Sequence, residues 1–308
     1  MKQLNKALIV GGNSVIAKHL VEQLTIQSAI PEYYATQRQD IDADWYLDLS
    51  DQASIDALLN TINLEKITMV VVLAAVTSNA ACLENKAYSK QVNVTNTQYL
   101  LQQLTARSVF SVYLSSSQVF DHQSAMIAFD HAYCPTTLYG KQKVSVERFI
   151  LQHKLNVAIV RMTKVIGAYF PLFEQVIDDA KTNQKTSLFN DYCAAPITIN
   201  FACEALIQIM LSKKTGVYQL SGAEDISYYE MAQRLVKQLT LKANIIGVSS
   251  TTKNIRPCLY GSLLPCGADE LTFKAQPFSE VIDDYLFASL ANCAIGCAEK
   301  TVKHNDGE

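Results

Sequence analysis

The amino-terminal segment passes from an apolar strand through a glycine turn directly into an amphipathic helix. The strand runs from Lys6 to Val10 and the turn is Gly11-Gly12-Asn13-Ser14. One face of the helix that follows is apolar, and it carries Val15, Ile16, Leu20, Val21 and Leu24. A strand that enters a helix through a tight glycine turn is typical of the first unit of an open parallel sheet.

Short apolar runs and helical periodicity continue to alternate along the chain. The predicted strands are Glu32 to Thr36, Thr68 to Ala75, Ser111 to Leu114, Val157 to Val160, Ser187 to Phe189 and Val217 to Leu220. The predicted helices are Lys86 to Thr105, Leu138 to Ile150, Pro171 to Ala180, Ile199 to Met210 and Tyr228 to Leu239. This alternation predicts an α/β fold, a Rossmann-type doubly wound parallel sheet with a smaller mixed α/β C-terminal substrate region.

The alternation weakens after Val160, which suggests how the chain is divided. We predict an NAD(P)-binding Rossmann domain at 1–164 and a substrate-binding region at 165–290 that is partly interleaved with the Rossmann sheet. A disordered tail is expected at 291–308, where the residues are small and polar. Gly, Pro and Cys punctuate Arg256 to Gly267, and this loop is expected to close over substrate.

Charge and composition exclude several classes of partner. The 308 residues carry a formal net charge of −3, whereas a nucleic-acid or anionic-membrane partner requires a basic face. No uncharged apolar run is long enough to span a membrane, and the amino terminus has no signal-peptide pattern. We therefore expect a cytoplasmic protein. The eight cysteines and five histidines are scattered without a CxxC pair or a metal-ligand spacing, so no metal site is predicted.

The glycine turn suggests a dinucleotide site. Free backbone amides at the start of the first helix, from Asn13, Ser14, Val15 and Ile16, would hold a pyrophosphate at the positive end of the helix dipole. Dinucleotide folds usually show GxxGxxG there, but this chain has Gly11, Ser14 and Ala17. A degenerate loop that binds no cofactor remains the alternative.

The end of the second strand bears on the choice of nicotinamide cofactor. An acidic residue there would bind a ribose 2′-hydroxyl, whereas a cation favours a 2′-phosphate. The chain has Thr36-Gln37-Arg38, so Arg38 with Thr36 favours NADP and makes NAD the less favoured cofactor. A solvated surface arginine is the alternative interpretation of Arg38.

Two further stretches complete the predicted cofactor site. Asp48 and Leu49 suit the edge of an adenine ring. Ala74, Ala75 and Val76 follow the apolar run that begins at Thr68, and their small side chains let a cofactor pass close to the backbone. Thr77 comes next and is expected to bind substrate.

A serine cluster and a Tyr–Lys pair form the predicted reactive centre. Ser116 lies at the carboxyl end of a buried strand, where open parallel sheets bind ligands. Tyr139 and Lys143 lie one helical turn apart on a helix entered through Thr136 or Thr137. A free tyrosine has a pKa of ~10, so a neighbouring ammonium is needed to stabilise its phenolate. Ser116 and Tyr139 together would polarise a carbonyl or hold an alcohol.

These stretches together resemble the extended short-chain dehydrogenase/reductase superfamily, most closely its dTDP-4-dehydrorhamnose reductase-like branch. The resemblance runs from the glycine turn to about Leu239. It rests on Leu47-Asp48-Leu49-Ser50-Asp51, Ala74-Ala75-Val76-Thr77, Val92-Asn93-Val94, Ser115-Ser116-Ser117, Tyr139-Gly140-Lys141-Gln142-Lys143, Arg161 to Gly167, and Gly216 to Gly222.

The resemblance implies a role for individual residues. Ser116 matches the carbonyl-polarising residue, Tyr139 the acid-base tyrosine, and Lys143 the lysine that lowers the tyrosine pKa and binds the nicotinamide ribose. Lys164 and, more weakly, Arg256 would approach the substrate phosphates. Ser117 and Gln118 are also expected to bind substrate. They stand where rhamnose reductases usually have Asp-Tyr, so the sugar specificity is expected to differ.

The resemblance implies an NAD(P)-dependent oxidoreductase of polysaccharide biosynthesis. The expected reaction is NADPH-dependent reduction of a keto group on a nucleotide-linked deoxy sugar, with Tyr139 as proton donor. Two alternatives stay open: a sugar-nucleotide epimerase that retains NAD, and a non-catalytic regulatory or binding protein with the same fold. Dehydration is disfavoured because no acidic residue stands beside Ser116. Related enzymes are often homodimers, but nothing in these residues fixes an interface.

Overall fold

The centre of the molecule is a seven-stranded parallel sheet. The computed structural model describes residues 5–28, 30–38, 44–267 and 271–289. The strand order is β11-β6-β5-β4-β1-β2-β3. The strands of this sheet are β1 (Lys6–Val10), β2 (Glu32–Gln37), β3 (Trp45–Tyr46), β4 (Met69–Val72), β5 (Phe110–Ser116), β6 (Val157–Met162) and β11 (Gly216–Leu220). The predicted Rossmann-type parallel sheet is confirmed.

Helices cover both faces of the sheet. They are α1 (Val15–Gln27), α2 (Gln52–Glu65), α3 (Asn79–Glu84), α4 (Lys86–Lys90), α5 (Thr97–Ala106), α6 (Leu138–Gln152), α7 (Pro171–Lys181), α8 (Ile199–Ser212), α9 (Tyr228–Gln238) and α10 (278–289). Helices α1 and α8 pack in one buried apolar layer, and α2, α5 and α6 pack in the other. None of the helices within the described ranges is long and apolar enough to span a membrane.

The C-terminal part adds a smaller layer over the carboxyl ends of the strands. Its strands are β7 (Val165–Ile166), β8 (Lys185–Phe189), β9 (Cys193–Ala194), β10 (Ile197–Thr198), β12 (Ile226–Ser227) and β13 (Asn244–Val248). Strand β8 pairs with β13 in parallel, and a separate apolar cluster joins α7, α9 and α10. Strand β11 comes from this part of the chain but joins the central sheet. The predicted domain boundary at 164/165 stays a prediction.

Most predicted elements are present, with ends that differ by a few residues. Strands β3, β7, β9, β10, β12 and β13 and helices α3 and α10 have no counterpart among the predicted elements, and the long helix expected from Lys86 to Thr105 is not regular throughout. That helix is interrupted by a π-helical turn at Gln91–Asn96. The predicted disordered tail at 291–308 lies outside the described residues.

Side-chain caps decide where the helices begin. The Thr137 hydroxyl accepts a hydrogen bond from the Gly140 amide at 3.0 Å, so Thr137 and not Thr136 caps α6. Asp51 caps α2 in the same way through the Ala53 amide. Such caps satisfy amides that have no partner within the helix, and each stabilises a helix by about 1 kcal/mol.

A fully buried ion pair joins α6 to the central sheet. The Arg161 Nη2 atom on β6 donates to Glu147 Oε2 on α6 at 2.6 Å, and both side chains are at most 1% exposed. The Ser115 hydroxyl and the Tyr133 hydroxyl, at 2.8 Å, also donate to this carboxylate. Arg161 further donates to Gln219 Oε1 on β11 at 3.0 Å. This network fixes the helix of the predicted Tyr–Lys pair against three neighbouring strands.

Removal of the Glu147 carboxylate should therefore destabilise the fold severely. In Glu147→Ala the guanidinium of Arg161 stays buried without its counter-ion, and we expect a loss of about 3–5 kcal/mol in the free energy of unfolding. Urea unfolding measures this loss. The matched control is Asp178→Ala, because the Lys181 and Asp178 side chains of that pair are 64% and 71% exposed and the pair should contribute little to stability. Equal losses in the two variants would contradict this interpretation.

Candidate active site

The glycine turn lies at the switch point of the sheet. From β1 the chain adds β2 and β3 on one side and then returns to place β4 on the other side of β1. The neighbouring strands β1 and β4 therefore continue into opposite halves of the sheet. Ligands bind at such a point in open parallel sheets. Gly11 has φ +96°, and a Cβ atom there would lie 2.8 Å from the Ala74 amide nitrogen. The β1 turn and the Ala74 backbone therefore approach each other at a distance that only glycine allows at this position.

The start of α1 has the features of a phosphate site. The Ser14 hydroxyl caps the helix by accepting from the Ala17 amide at 3.1 Å. The Val15 and Ile16 amides are in the first turn, where amides have no partner within the helix, and both Asn13 and Val15 are exposed. Ser14 thus replaces the usual glycine and shortens the set of free amides by one. The remaining residues fit a dinucleotide pyrophosphate.

The structure separates the roles of Thr36 and Arg38. The Thr36 side chain is buried, and its hydroxyl accepts from the Gly11 amide at 3.3 Å. This contact holds the glycine turn, and the expectation that Thr36 acts with Arg38 in cofactor choice stays a prediction. Arg38 is exposed and donates through Nη1 to the Tyr88 hydroxyl on α4 at 2.8 Å. Tyr88 thus orients the guanidinium at the edge of the predicted adenine site.

Hydrogen bonds to the Asp48 carboxylate and to the Leu49 carbonyl stabilise the loop in which these residues lie. Asp48 Oδ1 accepts from the Ser50 amide at 2.8 Å and from the Ser50 hydroxyl at 2.7 Å. The Leu49 side chain is buried, and its carbonyl accepts from Asn96 Nδ2 at 2.6 Å. The π-helical turn thereby fastens the predicted adenine loop.

Asn93, in the same π-helical turn, fastens the strand end at Ala75 and Val76. Its amide group accepts from the Val76 amide at 2.8 Å and donates to the Val76 carbonyl at 2.9 Å. It also donates to Gln142 Oε1 on α6 at 2.7 Å, and it is buried. Helices often widen to π geometry at functional sites. Here the widened turn ties the predicted cofactor strand to the helix that carries Tyr139.

A cavity of about 790 Å³ lies at the carboxyl ends of β5 and β6. Ser116 and Tyr139 line it, and so do all five predicted substrate residues, Thr77, Ser117, Gln118, Lys164 and Arg256. The Ser116 hydroxyl accepts from the Gln118 amide at 3.2 Å, which leaves its own proton available for donation. The structure therefore brings the predicted reactive serine, the tyrosine and the predicted substrate residues to a single cavity.

Gly140 allows helix α6 to approach the serine strand closely. A Cβ atom at this position would lie 2.1 Å from the Gln118 carbonyl oxygen. The Gln118 side chain in turn accepts from the Thr137 hydroxyl at 2.9 Å. These contacts bring Tyr139 to the strand end that carries Ser116. Gly140 belongs to the Tyr139–Lys143 motif, and no local signal in the sequence indicated its close approach to Gln118.

Lys143 lies beneath Tyr139 and is nearly inaccessible. Its ammonium donates to the Leu114 carbonyl at 2.7 Å and lies 4.6 Å from the Tyr113 ring centroid and 5.5 Å from that of Tyr139. Burial lowers the pKa of Lys143 to about 8, although the charge of Glu147 acts against this change. The group is therefore protonated at neutral pH but close to its titration range.

The pKa of Tyr139 differs from the sequence-based expectation. Burial, with a smaller contribution from Cys82, raises the pKa of the phenol, whereas Lys143 was expected to lower it. The physical reason is the desolvation of the phenolate in this buried site, and the Lys143 ammonium is bonded to the Leu114 carbonyl. Tyr139 is consequently a neutral hydrogen-bond donor at physiological pH.

Lys164 and Arg256 bring positive charge to the outer part of the cavity. The Lys164 ammonium lies 5.1 Å from the Phe170 ring centroid. The side chain is solvent-accessible, but the surrounding walls partly desolvate it and lower its pKa. Arg256 is exposed on the loop that was expected to close over substrate. Two cations that line the same cavity suit an anionic group such as a pyrophosphate.

Sequence reasoning missed other residues that line the cavity. Tyr192 and Tyr228 have ring centroids 5.8 Å apart and form an aromatic wall. His122 adopts a φ of +59°, which is uncommon outside glycine. These residues belong to separate loops without shared periodicity, so no local signal in the sequence could have grouped them.

The family model for the RmlD substrate binding domain matches residues 5–262. This chain belongs to that family. The predicted resemblance is thereby confirmed, since solved dTDP-4-dehydrorhamnose reductases share its fold. The match spans the glycine turn, the Tyr–Lys helix and most of the C-terminal layer.

Two relatives are named for different functions. The spore coat polysaccharide biosynthesis protein SpsK of Bacillus subtilis (strain 168) is 23% identical over 295 residues, which are 94% of this chain and 100% of that protein. Methionine adenosyltransferase 2 subunit beta of Xenopus laevis is also 23% identical, over 253 residues that cover 78% of this chain and 73% of that protein. One relative is named for polysaccharide biosynthesis and the other is a subunit of a different enzyme.

Among solved structures, dTDP-4-dehydrorhamnose reductase from Bacillus anthracis str. Ames in complex with NADP superimposes with a TM-score of 0.80. It is 18% identical, and the match covers 92% of this chain and 99% of that chain. At this identity the likeness shows a common fold, which includes the C-terminal layer as well as the central sheet.

The burial of Lys143 predicts a pH-dependent gain in stability when its charge is removed. The pKa of about 8 in the folded chain lies below the unfolded value of ~10.4, so the ammonium destabilises the fold at pH values below 8. Lys143→Met should raise the free energy of unfolding at pH 7 by roughly 1–3 kcal/mol. The gain should shrink as the pH rises from 8 to about 10.4.

Denaturant unfolding between pH 7 and 10.5 measures this dependence. Lys141→Met is the control, since Lys141 is exposed on the same helix and its removal should produce no such pH dependence. A Lys143→Met variant that is less stable at pH 7 than at pH 10, relative to wild type, would contradict the predicted direction.

Proposed function

We propose that this protein is an NADPH-dependent reductase of a keto group on a nucleotide-linked deoxy sugar. The observation that carries the proposal is the convergence of Ser116 and Tyr139 on one cavity, with the Lys143 ammonium directly behind the tyrosine. Membership of the RmlD family and the relative named for polysaccharide biosynthesis support the substrate class. Ser117 and Gln118 stand where rhamnose reductases usually have Asp-Tyr. The sugar must therefore be identified by assay.

The neutral state of Tyr139 suits the direction of reduction. A phenol with a raised pKa keeps its proton until an alkoxide develops on the substrate, and it then donates that proton. The Lys143 ammonium stabilises the phenolate that remains. Ser116 donates a hydrogen bond to the same substrate oxygen, so two donors are in place where negative charge develops.

NADPH would bind along the glycine turn and supply the hydride. The first-turn amides of α1 would hold its pyrophosphate, with Asp48 and Leu49 at the adenine. Arg38, oriented by Tyr88, would pair with the 2′-phosphate, which is the basis for proposing NADP over NAD. Lys164 and Arg256 would bind the diphosphate of the substrate.

A second candidate is a non-catalytic binding protein with the same fold. The relative that is a subunit of methionine adenosyltransferase favours it, as does the departure of Ser14 from the glycine pattern. The intact Ser116, Tyr139 and Lys143 favour catalysis, because a protein that only binds needs no buried ammonium beneath a tyrosine.

Substitution of Tyr139 separates the two candidates. Tyr139→Phe removes the proton donor and should lower kcat with a 4-keto sugar nucleotide by about 10²–10⁴-fold. Its affinity for NADPH, followed by nicotinamide fluorescence, should stay close to that of the wild type. Arg38→Ala should instead weaken NADPH binding and leave NADH binding unchanged.

Unchanged turnover in Tyr139→Phe would exclude the proposed mechanism. Binding of NADPH without turnover of any 4-keto sugar nucleotide by the wild-type protein would favour the non-catalytic candidate. Failure of the wild type to bind either nicotinamide cofactor would mean that the Gly11 turn is not a dinucleotide site.

A further inference from the structure

The Lys143 ammonium lies between groups that carry little negative charge. Strand β5 contributes the Leu114 carbonyl and the face of Tyr113, whose ring centroid is 4.6 Å from the nitrogen. Helix α6 contributes the ring of Tyr139 at 5.5 Å. The titratable groups that act on it are Glu147 on α6 and the buried thiol of Cys82 on α3. One carbonyl and two ring faces therefore surround the ammonium most closely.

Glu147, the carboxylate that acts on Lys143, already forms an ion pair with Arg161. Glu147 accepts hydrogen bonds from the Arg161 guanidinium, from Ser115 and from Tyr133. Its charge is neutralised within that network, so its attraction for Lys143 is reduced. A buried ammonium must be stabilised by some group, or it loses its proton.

Tyr113 is suited to this task through its ring. An ammonium over an aromatic face is attracted by the ring quadrupole, most strongly where water is excluded, and Tyr113 is 2% exposed. Its hydroxyl is also buried and has no hydrogen-bond partner among the described residues. An unpaired buried hydroxyl stabilises nothing, so the ring is the part of the side chain that interacts favourably with its surroundings.

We propose that Tyr113 is a positioning residue whose aromatic face keeps the Lys143 ammonium charged and in place beneath Tyr139. This inference deepens the proposed function and rests on it, because a charged Lys143 matters for catalysis only if Tyr139 transfers a proton. The contact between the Tyr113 ring and the Lys143 ammonium is a property of the folded chain and does not depend on the proposed reaction.

The charge of Lys143 at neutral pH is sensitive to small changes in its pKa. With a pKa of about 8, a further decrease of about one would leave a large fraction of the amine neutral at pH 7. The neutral amine could not stabilise the phenolate of Tyr139. Loss of the ring's attraction would therefore lower activity at neutral pH without moving any residue that contacts substrate.

Fluorination of the ring tests the proposal without a change of shape. Tyr113→Phe is made first, and then phenylalanine with one, two or three ring fluorines is placed at position 113, which progressively removes the negative face. The pKa of Lys143 is read from the ¹³Cε signal of labelled lysine, assigned by its absence in Lys143→Met.

We expect Tyr113→Phe to leave the pKa of Lys143 near the wild-type value, since the ring is retained. The pKa should then fall stepwise with each fluorine, by about 0.5–1.5 in total. The same series at Phe110 is the control, because Phe110 is equally buried on β5 but packs in the other apolar layer. A Lys143 pKa that does not change with fluorination at position 113, or that changes as much at position 110, would overturn the proposal.

The measurement needs neither cofactor nor substrate, so its failure and that of the proposed function are distinguishable. A stepwise decrease in pKa without any reductase activity would support the Tyr113 interaction and contradict the proposed function. Where activity is present, kcat at pH 7 should fall along the series while the KM for NADPH stays within about twofold. A constant kcat would contradict the catalytic part of the inference.

Discussion

The burial of the Lys143 ammonium is the constraint on which the rest of the site depends. The charge is held by the Leu114 carbonyl and by two aromatic rings, and it destabilises the fold at neutral pH. Such a group persists only where its surroundings are rigid. The Arg161–Glu147 pair fixes the same helix against the sheet, and Gly140 lets that helix approach the serine strand. The fold thus stabilises a position that is unfavourable for lysine alone.

Hydrogen bonds around the predicted cofactor region also fix the helix that carries Lys143. A π-helical turn places Asn93 on the Val76 backbone and Asn96 on the Leu49 carbonyl, so one widened turn fastens two predicted cofactor loops. Asn93 also reaches Gln142, one residue before Lys143. The predicted cofactor loops and the helix of the reactive residues are therefore joined by hydrogen bonds from one π-helical turn.

Local patterns in the sequence were sufficient to predict the sheet, most helices, and Ser116 and Tyr139 of the cavity, whereas Ser117, Gln118, Lys164 and Arg256 followed from the family resemblance. Tyr139 and Lys143 share a helix, and Ser116 ends a strand, so short-range periodicity locates them. The π-helical turn, the partners of Asn93 and the role of Thr36 depend on contacts between distant segments, which no local pattern encodes. The pKa of Tyr139 depends on burial in the folded chain, and for that reason the direction predicted from the Tyr–Lys spacing was wrong.

The most direct test of a reductase is transfer of the hydride itself. The protein is incubated with NADPH that carries deuterium at both C4 hydrogens of the nicotinamide and, in separate reactions, with a panel of nucleotide-linked keto-deoxy sugars. Mass spectrometry and NMR then follow the label. The proposed function predicts one deuterium on the carbinol carbon of the product and an equal amount of NADP. NADPH that binds but retains its deuterium, with every sugar nucleotide of the panel unchanged, would contradict it.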